Sequence, residues 1–154
     1  MEWMILPYKR YAEFSGRSQR KEYWMFYLFS MIVMVVLGGT MLSQLPWQQI
    51  MNSGAGVSPF AGWTPGAGLF VSGGLLGIWV LASFIPGIAV TVRRFHDQDM
   101  SGWWVLGFAV LGNIPYVGFI ASIVQIVLMA RKGTVGGNRF GADPLDPTYE
   151  GVFA

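Results

Sequence analysis

The sequence predicts an all-α integral membrane protein, a polytopic helical bundle, and three observations carry that prediction. Apolar residues make up 53% of the 154-residue chain and charged residues only 12%, about half the charged share that coats an ordinary water-soluble domain. The ten Lys/Arg and eight Asp/Glu are confined to residues 2–22, 93–99 and 131–150, leaving 23–92 and 100–130 with no charged side chain. An ionised group at mid-bilayer costs ~3 kcal/mol or more on insertion scales, so this segregation is what a spanning chain requires. Finally, the first uncharged stretch opens with twenty consecutive residues of mostly apolar character, Tyr23 to Leu42, and twenty residues at helical rise cover ~30 Å, the thickness of the hydrocarbon layer.

The chain is one domain long, and no change of composition marks an internal boundary. Residues 1–22 form a cytoplasmic segment in which Met4, Tyr8 and Tyr11 follow the spacing of one helix face and Phe14 or Ser15 continues it. Pro7 is read near the helix start, where proline is tolerated. The segment is either an interfacial helix with an aromatic underside or a loop that packs its aromatics on the bundle. "GRSQRKEYW" then turns the chain into the membrane, with Ser18 as N-cap and Tyr23 and Trp24 as rings at headgroup level.

Residues 23–42 form the first span. The next segment, 43–68, carries Pro46, Pro59 and Pro65, repeated glycine and no charge, and reads as an external loop with a short helix near Trp47–Met51. Residues 69–92 form the second span, in which small residues permit close helix contact and Pro86 should introduce a kink. Residues 93–102, "RRFHDQDMSG", form a cytoplasmic loop. The last apolar region, 103–130, would reach ~42 Å as one straight helix, too long for one crossing and too short for two. At its middle stands "GNIPYVG", Gly112 to Gly118, a set of helix breakers. The region is either one tilted, broken helix or a helical hairpin that returns to its side of entry.

Charge separates these alternatives. Five basic residues precede the first span, two lie in 93–102, three lie in the 131–154 tail and none lies in 43–68. The positive-inside rule therefore puts residues 1–22 and 93–102 in the cytoplasm and 43–68 outside. A hairpin keeps Arg131, Lys132 and Arg139 inside as well, so the hairpin is preferred.

Several function classes fall away. The chain has no cysteine, hence no disulfide framework, thiol nucleophile or Cys-type zinc site. A single histidine gives no metal-ligand spacing, and no metal or cofactor is expected. Net charge +2 is too small and dispersed to suggest nucleic acid. "RKGTVGGNRFGADP" lacks the Gly-Lys-Ser/Thr ending of a phosphate loop and reads as a compact turn in which Arg139 and Asp143 are available to pair.

With that topology the charged segments meet on one face. Arg17, Arg20, Glu22, Arg93, Arg94, His96, Asp97, Asn138, Arg139 and Asp143 form a candidate polar cluster, with Tyr23, Trp24, Trp103 and Trp104 as interface anchors. No catalytic residue is assigned. Three uses are open: a structural tie between helix ends, contact of arginines with anionic lipid headgroups, and an enzyme acting on a lipid or membrane-embedded substrate through His96 and Asp97. Neighbouring residues on a helix do not face each other, so His96 and Asp97 pair directly only within a turn. Expected partners are membrane lipids, with self-association or a protein partner permitted by the small-residue faces.

"FSGRSQRKEYW", "VRRFHDQDMSGWW", "NIPYVG" and "GTVGGNRFGADP" occur in an order and spacing that resemble the bacterial inner-membrane family called domain of unknown function 805. The resemblance covers about Tyr11 to Pro144. It implies a small multi-span protein of the bacterial inner membrane and supplies no activity. The turn departs from the family pattern at Val135, Gly137 and Ala142, where prolines are typical, and the loop 43–68 is longer than the family minimum.

Overall fold

The computed structural model describes residues 2–54 and 56–146; the end of the predicted tail lies outside the described residues. Among the described residues six helices follow in order: α1 (Glu2–Lys9), α2 (Arg20–Leu42), α3 (Trp47–Asn52), α4 (Ala67–Asp97), α5 (Trp104–Gly112) and α6 (Val117–Ala130). The chain divides into two units. One comprises the chain up to Phe29 together with everything from Ser83 onward, and the other is Ser30–Ala82. Each of α2 and α4 contributes a segment to both.

The Ser30–Ala82 unit contains polar contacts near the helix ends. Gln44 donates to Thr40 O and Ser72 Oγ, Trp47 Nε1 donates to Leu42 O, and Ser72 Oγ donates to Gly68 O. The bonds to Thr40 O and Leu42 O serve carbonyls near the end of α2, which have no partner further along their own helix. Beyond them, the apolar surface is bare: only 6% of the most apolar 18 residues of α2 is buried within the chain. A water-soluble helix of this composition would have to bury that face, so the surface is built for lipid.

The other unit contains the core. Tyr23 and Phe26 of α2 pack with Val90 and Phe95 of α4, Phe108 of α5, and Ala121 and Met129 of α6. Phe95 and Phe108 stack with ring centroids 5.9 Å apart. The Tyr27 hydroxyl meets Thr91 Oγ1 at 3.0 Å, and Thr91 in turn donates to Gly87 O one turn earlier. Helix α1 docks through Tyr8, whose hydroxyl lies 2.7 Å from Ser83 Oγ and whose ring is 5.5 Å from Phe26.

Four expectations need correction. Helix α1 ends at Lys9, so Tyr11 is off the helix and exposed, and Pro7 lies inside the helix and buried rather than at its start. Helix α2 begins at Arg20, which puts Gln19 at the cap position; the Ser18 hydroxyl donates instead to Glu22 Oε2 at 2.7 Å. Tyr23 is 7% exposed and belongs to the core, whereas Trp24 is 40% exposed. Helix α4 does not stop at Val92. It runs through Arg93–Asp97, so the connecting loop is only the few residues from Gln98 to Trp103. Arginine, histidine and aspartate change the polarity of a helix without breaking it; the helix stops where Asp99 adopts φ +57°.

The region 103–130 forms two helices joined by Asn113–Tyr116, and α5 packs against α6. At ~14 Å and ~21 Å long by helical rise, neither reaches across a ~30 Å hydrocarbon layer. The chain comes back: α5 starts just after α4 ends, and the last carbonyls of α6 accept hydrogen bonds from Arg94 and Gln98 at that same end of α4. The reversal is a tight three-residue turn, with Val117 N donating to Pro115 O at 2.8 Å and Tyr116 at φ +63°, ψ −44°. Gly118 sits against the end of α5, where a Cβ would come within 2.5 Å of Gly112 O.

Candidate functional site

Adjacent residues on a helix diverge by about 100°, and this sends Arg93 and Arg94 to different neighbours. Arg93 is fully buried and turns to α2 and the amino-terminal segment. Its Nη2 donates to Glu22 Oε1 at 2.8 Å, its Nη1 to Glu13 O at 2.8 Å, and its own carbonyl accepts from Ser18 N at 3.1 Å. Arg94, also fully buried, turns to α6. Its Nε donates to Met129 O at 3.1 Å, and its two Nη groups donate to Arg131 O and to Asp97 Oδ2. It thereby satisfies carbonyls that the end of α6 leaves without helical partners.

Asp97 is the meeting point. Besides Arg94 it receives Arg17, whose Nε and Nη2 lie 3.0 and 2.9 Å from Oδ1. Arg17 continues into the tail, donating to Thr134 O and Gly136 O at 2.6 Å each. The backbone carbonyl of Asp97 accepts from Thr134 N at 2.8 Å. The tail passes so close to this carboxylate that a Cβ on Gly133 would overlap it, which explains a glycine there.

The buried cluster holds three guanidiniums, Arg17, Arg93 and Arg94, and two carboxylates, Glu22 and Asp97. Because Asp97 is shared by Arg17 and Arg94, three positive and two negative charges leave the cluster with one net positive charge. Burial of that charge is offset by main-chain acceptors at Glu13, Met129, Arg131, Thr134 and Gly136, aided by the partial negative charge at the end of α6.

His96, next to Asp97, faces elsewhere. Its Nδ1 lies 3.2 Å from Gly16 O, and its ring stacks on Phe140 at 3.9 Å and 3°. His96 and Asp97 therefore share no reacting centre, as their positions on one helix require. Asn138 donates to His96 O at 2.8 Å and to Thr134 Oγ1 at 3.0 Å, and its own Oδ1 accepts from Phe140 N. Arg139 pairs with Asp99 rather than with Asp143, at 3.1 Å and largely exposed. Asp143 accepts from Gly136 N and Leu145 N within the tail. Arg20 is exposed and makes no ion pair among the described residues. Trp103 and Trp104 are 78% and 48% exposed at the start of α5.

Ser18, Gln98, Thr134 and Gly133 are structural members of this site that sequence reasoning missed. Outside the helices, Arg10 and Glu13 form a bidentate pair at 2.7 and 2.8 Å. That bond holds the Glu13 carboxyl below its ordinary value and the Arg10 guanidinium above its own.

Bare apolar helices with their ion pairs gathered in one cluster define a helical membrane protein. The model for the family described as "Protein of unknown function (DUF805)" matches residues 11–142, and the chain belongs to that family. It is 38% identical over 148 residues to "Inner membrane protein YhaH" of Escherichia coli (strain K12), covering 96% of this chain and 100% of that one. It is 33% identical over 147 residues to "Inner membrane protein YhaI" of the same organism, covering 94% and 96%. No solved structure matches. These relatives are inner membrane proteins, and the family description assigns no activity.

Proposed function

We propose that this protein is a non-enzymatic module of the bacterial inner membrane, with α2 and α4 as full crossings, the α5–α6 hairpin entering and returning, and the arginine cluster at the cytoplasmic boundary. In this reading the buried arginines lock three chain segments together, and the basic groups beside them meet the phosphate of an anionic lipid headgroup. The observation that carries it is the division of labour among the cations. Arg17, Arg93 and Arg94 are engaged by protein acceptors. Next to them an open cleft of about 390 Å³ is lined by Arg20 and Lys132, neither of which has an ion-pair partner among the described residues. Its carboxylates, Asp97 and Asp143, are occupied by arginines and by main-chain N–H groups. Two exposed cations beside a leaflet suit a phosphodiester.

Native mass spectrometry of the purified full chain tests this. The protein should retain phosphatidylglycerol in preference to phosphatidylcholine, and Arg20→Gln/Lys132→Gln should remove the preference without lowering the melting temperature. Equal retention of the two lipids, or a preference that survives the double substitution, would count against headgroup recognition.

A further inference from the structure

A second cavity, distinct from the basic cleft, lies between α4 and α5. It has a volume of about 820 Å³, within the ~300–1,000 Å³ of ordinary small-molecule sites. Phe84, Ile88, Val92 and His96 line it along one stripe of α4, as their spacing of four residues dictates. Leu106 and Ala109 of α5 form the facing wall. No lining residue carries a formal charge, and the polar side chains are gathered at one end, where His96 and Ser101 stand.

The hydrogen-bonding capacity at that end is specific. Gly16 O can only accept, so His96 Nδ1 donates to it and Nε2 of the neutral ring keeps its lone pair. At Gly102 an added Cβ would come within 2.7 Å of Val92 Cγ1 and 3.2 Å of His96 Nε2, so glycine there keeps a side chain from crowding the nitrogen. The stack on Phe140 fixes the ring plane. Ser101 Oγ accepts from Trp103 N at 3.4 Å, and its O–H has no acceptor among the described residues. The polar end thus offers one acceptor and one donor above an apolar channel.

We propose that this groove binds an uncharged membrane amphiphile, a long apolar chain ending in a hydroxyl that donates to His96 Nε2 and accepts from Ser101. A hydroxyl is a small group that does both. A charged headgroup would find no counter-charge in this lining, and a plain acyl chain would leave both polar groups unmet. Diacylglycerol, an aliphatic alcohol, and long-chain quinols, which are phenols, share the required uncharged hydroxyl on a long apolar body.

The full-length protein in phosphatidylcholine nanodiscs is labelled with a long-chain alcohol carrying a mid-chain diazirine, and with its methyl ether. The ether can still accept but cannot donate, so leaving the His96 acceptor unmet should reduce labelling of the segment containing Leu106 and Ala109 by roughly tenfold. Ser101→Ala should lower labelling by the alcohol, and Ala109→Trp should abolish it by filling the groove. If Ala109→Trp proves unstable, the alcohol-to-ether ratio of the unsubstituted protein and the effect of Ser101→Ala decide. Displacement by unlabelled diacylglycerol or by a long-chain quinol supports the proposal and tells the two sources apart. Equal labelling by alcohol and ether, or displacement by neither competitor, overturns it.

Discussion

Arg93 and Glu22 lie 71 positions apart in the chain and 2.8 Å apart in space, both fully buried. Removing one member of such a pair leaves an uncompensated charge and costs about 3–5 kcal/mol, whereas replacing both by apolar side chains of similar volume is often neutral. Arg93→Met and Glu22→Leu should therefore each lower stability in detergent sharply, and the double variant should recover most of the loss. Chemical-denaturant unfolding of the four proteins checks this; additive losses would mean that the pair is not coupled. Glu13 gives a weaker, pH-dependent case. Its carboxyl is held below the ordinary value by Arg10, so its stabilising effect is present above the unfolded-state pKa and is lost as pH falls through the lower, folded value. The pair is partly exposed, which limits it to about 0.5 kcal/mol. The stability gap between the unsubstituted protein and Glu13→Gln, measured by thermal unfolding, should be present at neutral pH and close on acidification. At this scale the residue types of the cluster were legible, because a membrane chain carries few charges and each must be accommodated. The roles of Ser18, Gln98 and Thr134 were not, because short polar side chains that bond to backbone leave no periodic trace.

At the scale of elements, hydropathy located the two long helices and the break in the third region, but not where helices end. Apolar character marks where lipid stops, and the end of α4 is set instead by the backbone at Gln98–Asp99. The positions of Pro7 and Ser18 differ from expectation for a related reason: both residue types suit a helix start, yet Pro7 lies inside α1 and Ser18 two residues before α2. The α5–α6 turn holds a non-glycine residue at φ +63°, a conformation that costs about 1–3 kcal/mol. Tyr116 is 91% exposed, so little packing is lost with its side chain. Tyr116→Gly should accordingly leave the protein as stable or raise its melting temperature, and a marked fall would contradict the strained turn. Gly118→Ala, by contrast, should destabilise the hairpin because its Cβ has no room beside Gly112 O.

For the whole molecule, the central claim is that the ionised groups of 2–22, 93–99 and 131–146 share one aqueous boundary, with the α5–α6 region returning to it. The closeness of these segments follows from the Arg17, Arg93 and Arg94 bonds; the side of the membrane follows from the positive-inside rule. The natural absence of cysteine permits a direct measurement. Val135 in the tail is 95% exposed and Met51 in the uncharged loop is 79% exposed, so a cysteine at either is open to reagent. In spheroplasts treated with a membrane-impermeant maleimide, Met51→Cys should react at once and Val135→Cys only after permeabilisation. Reaction of Val135→Cys from outside intact spheroplasts would place the tail across the membrane and contradict the account.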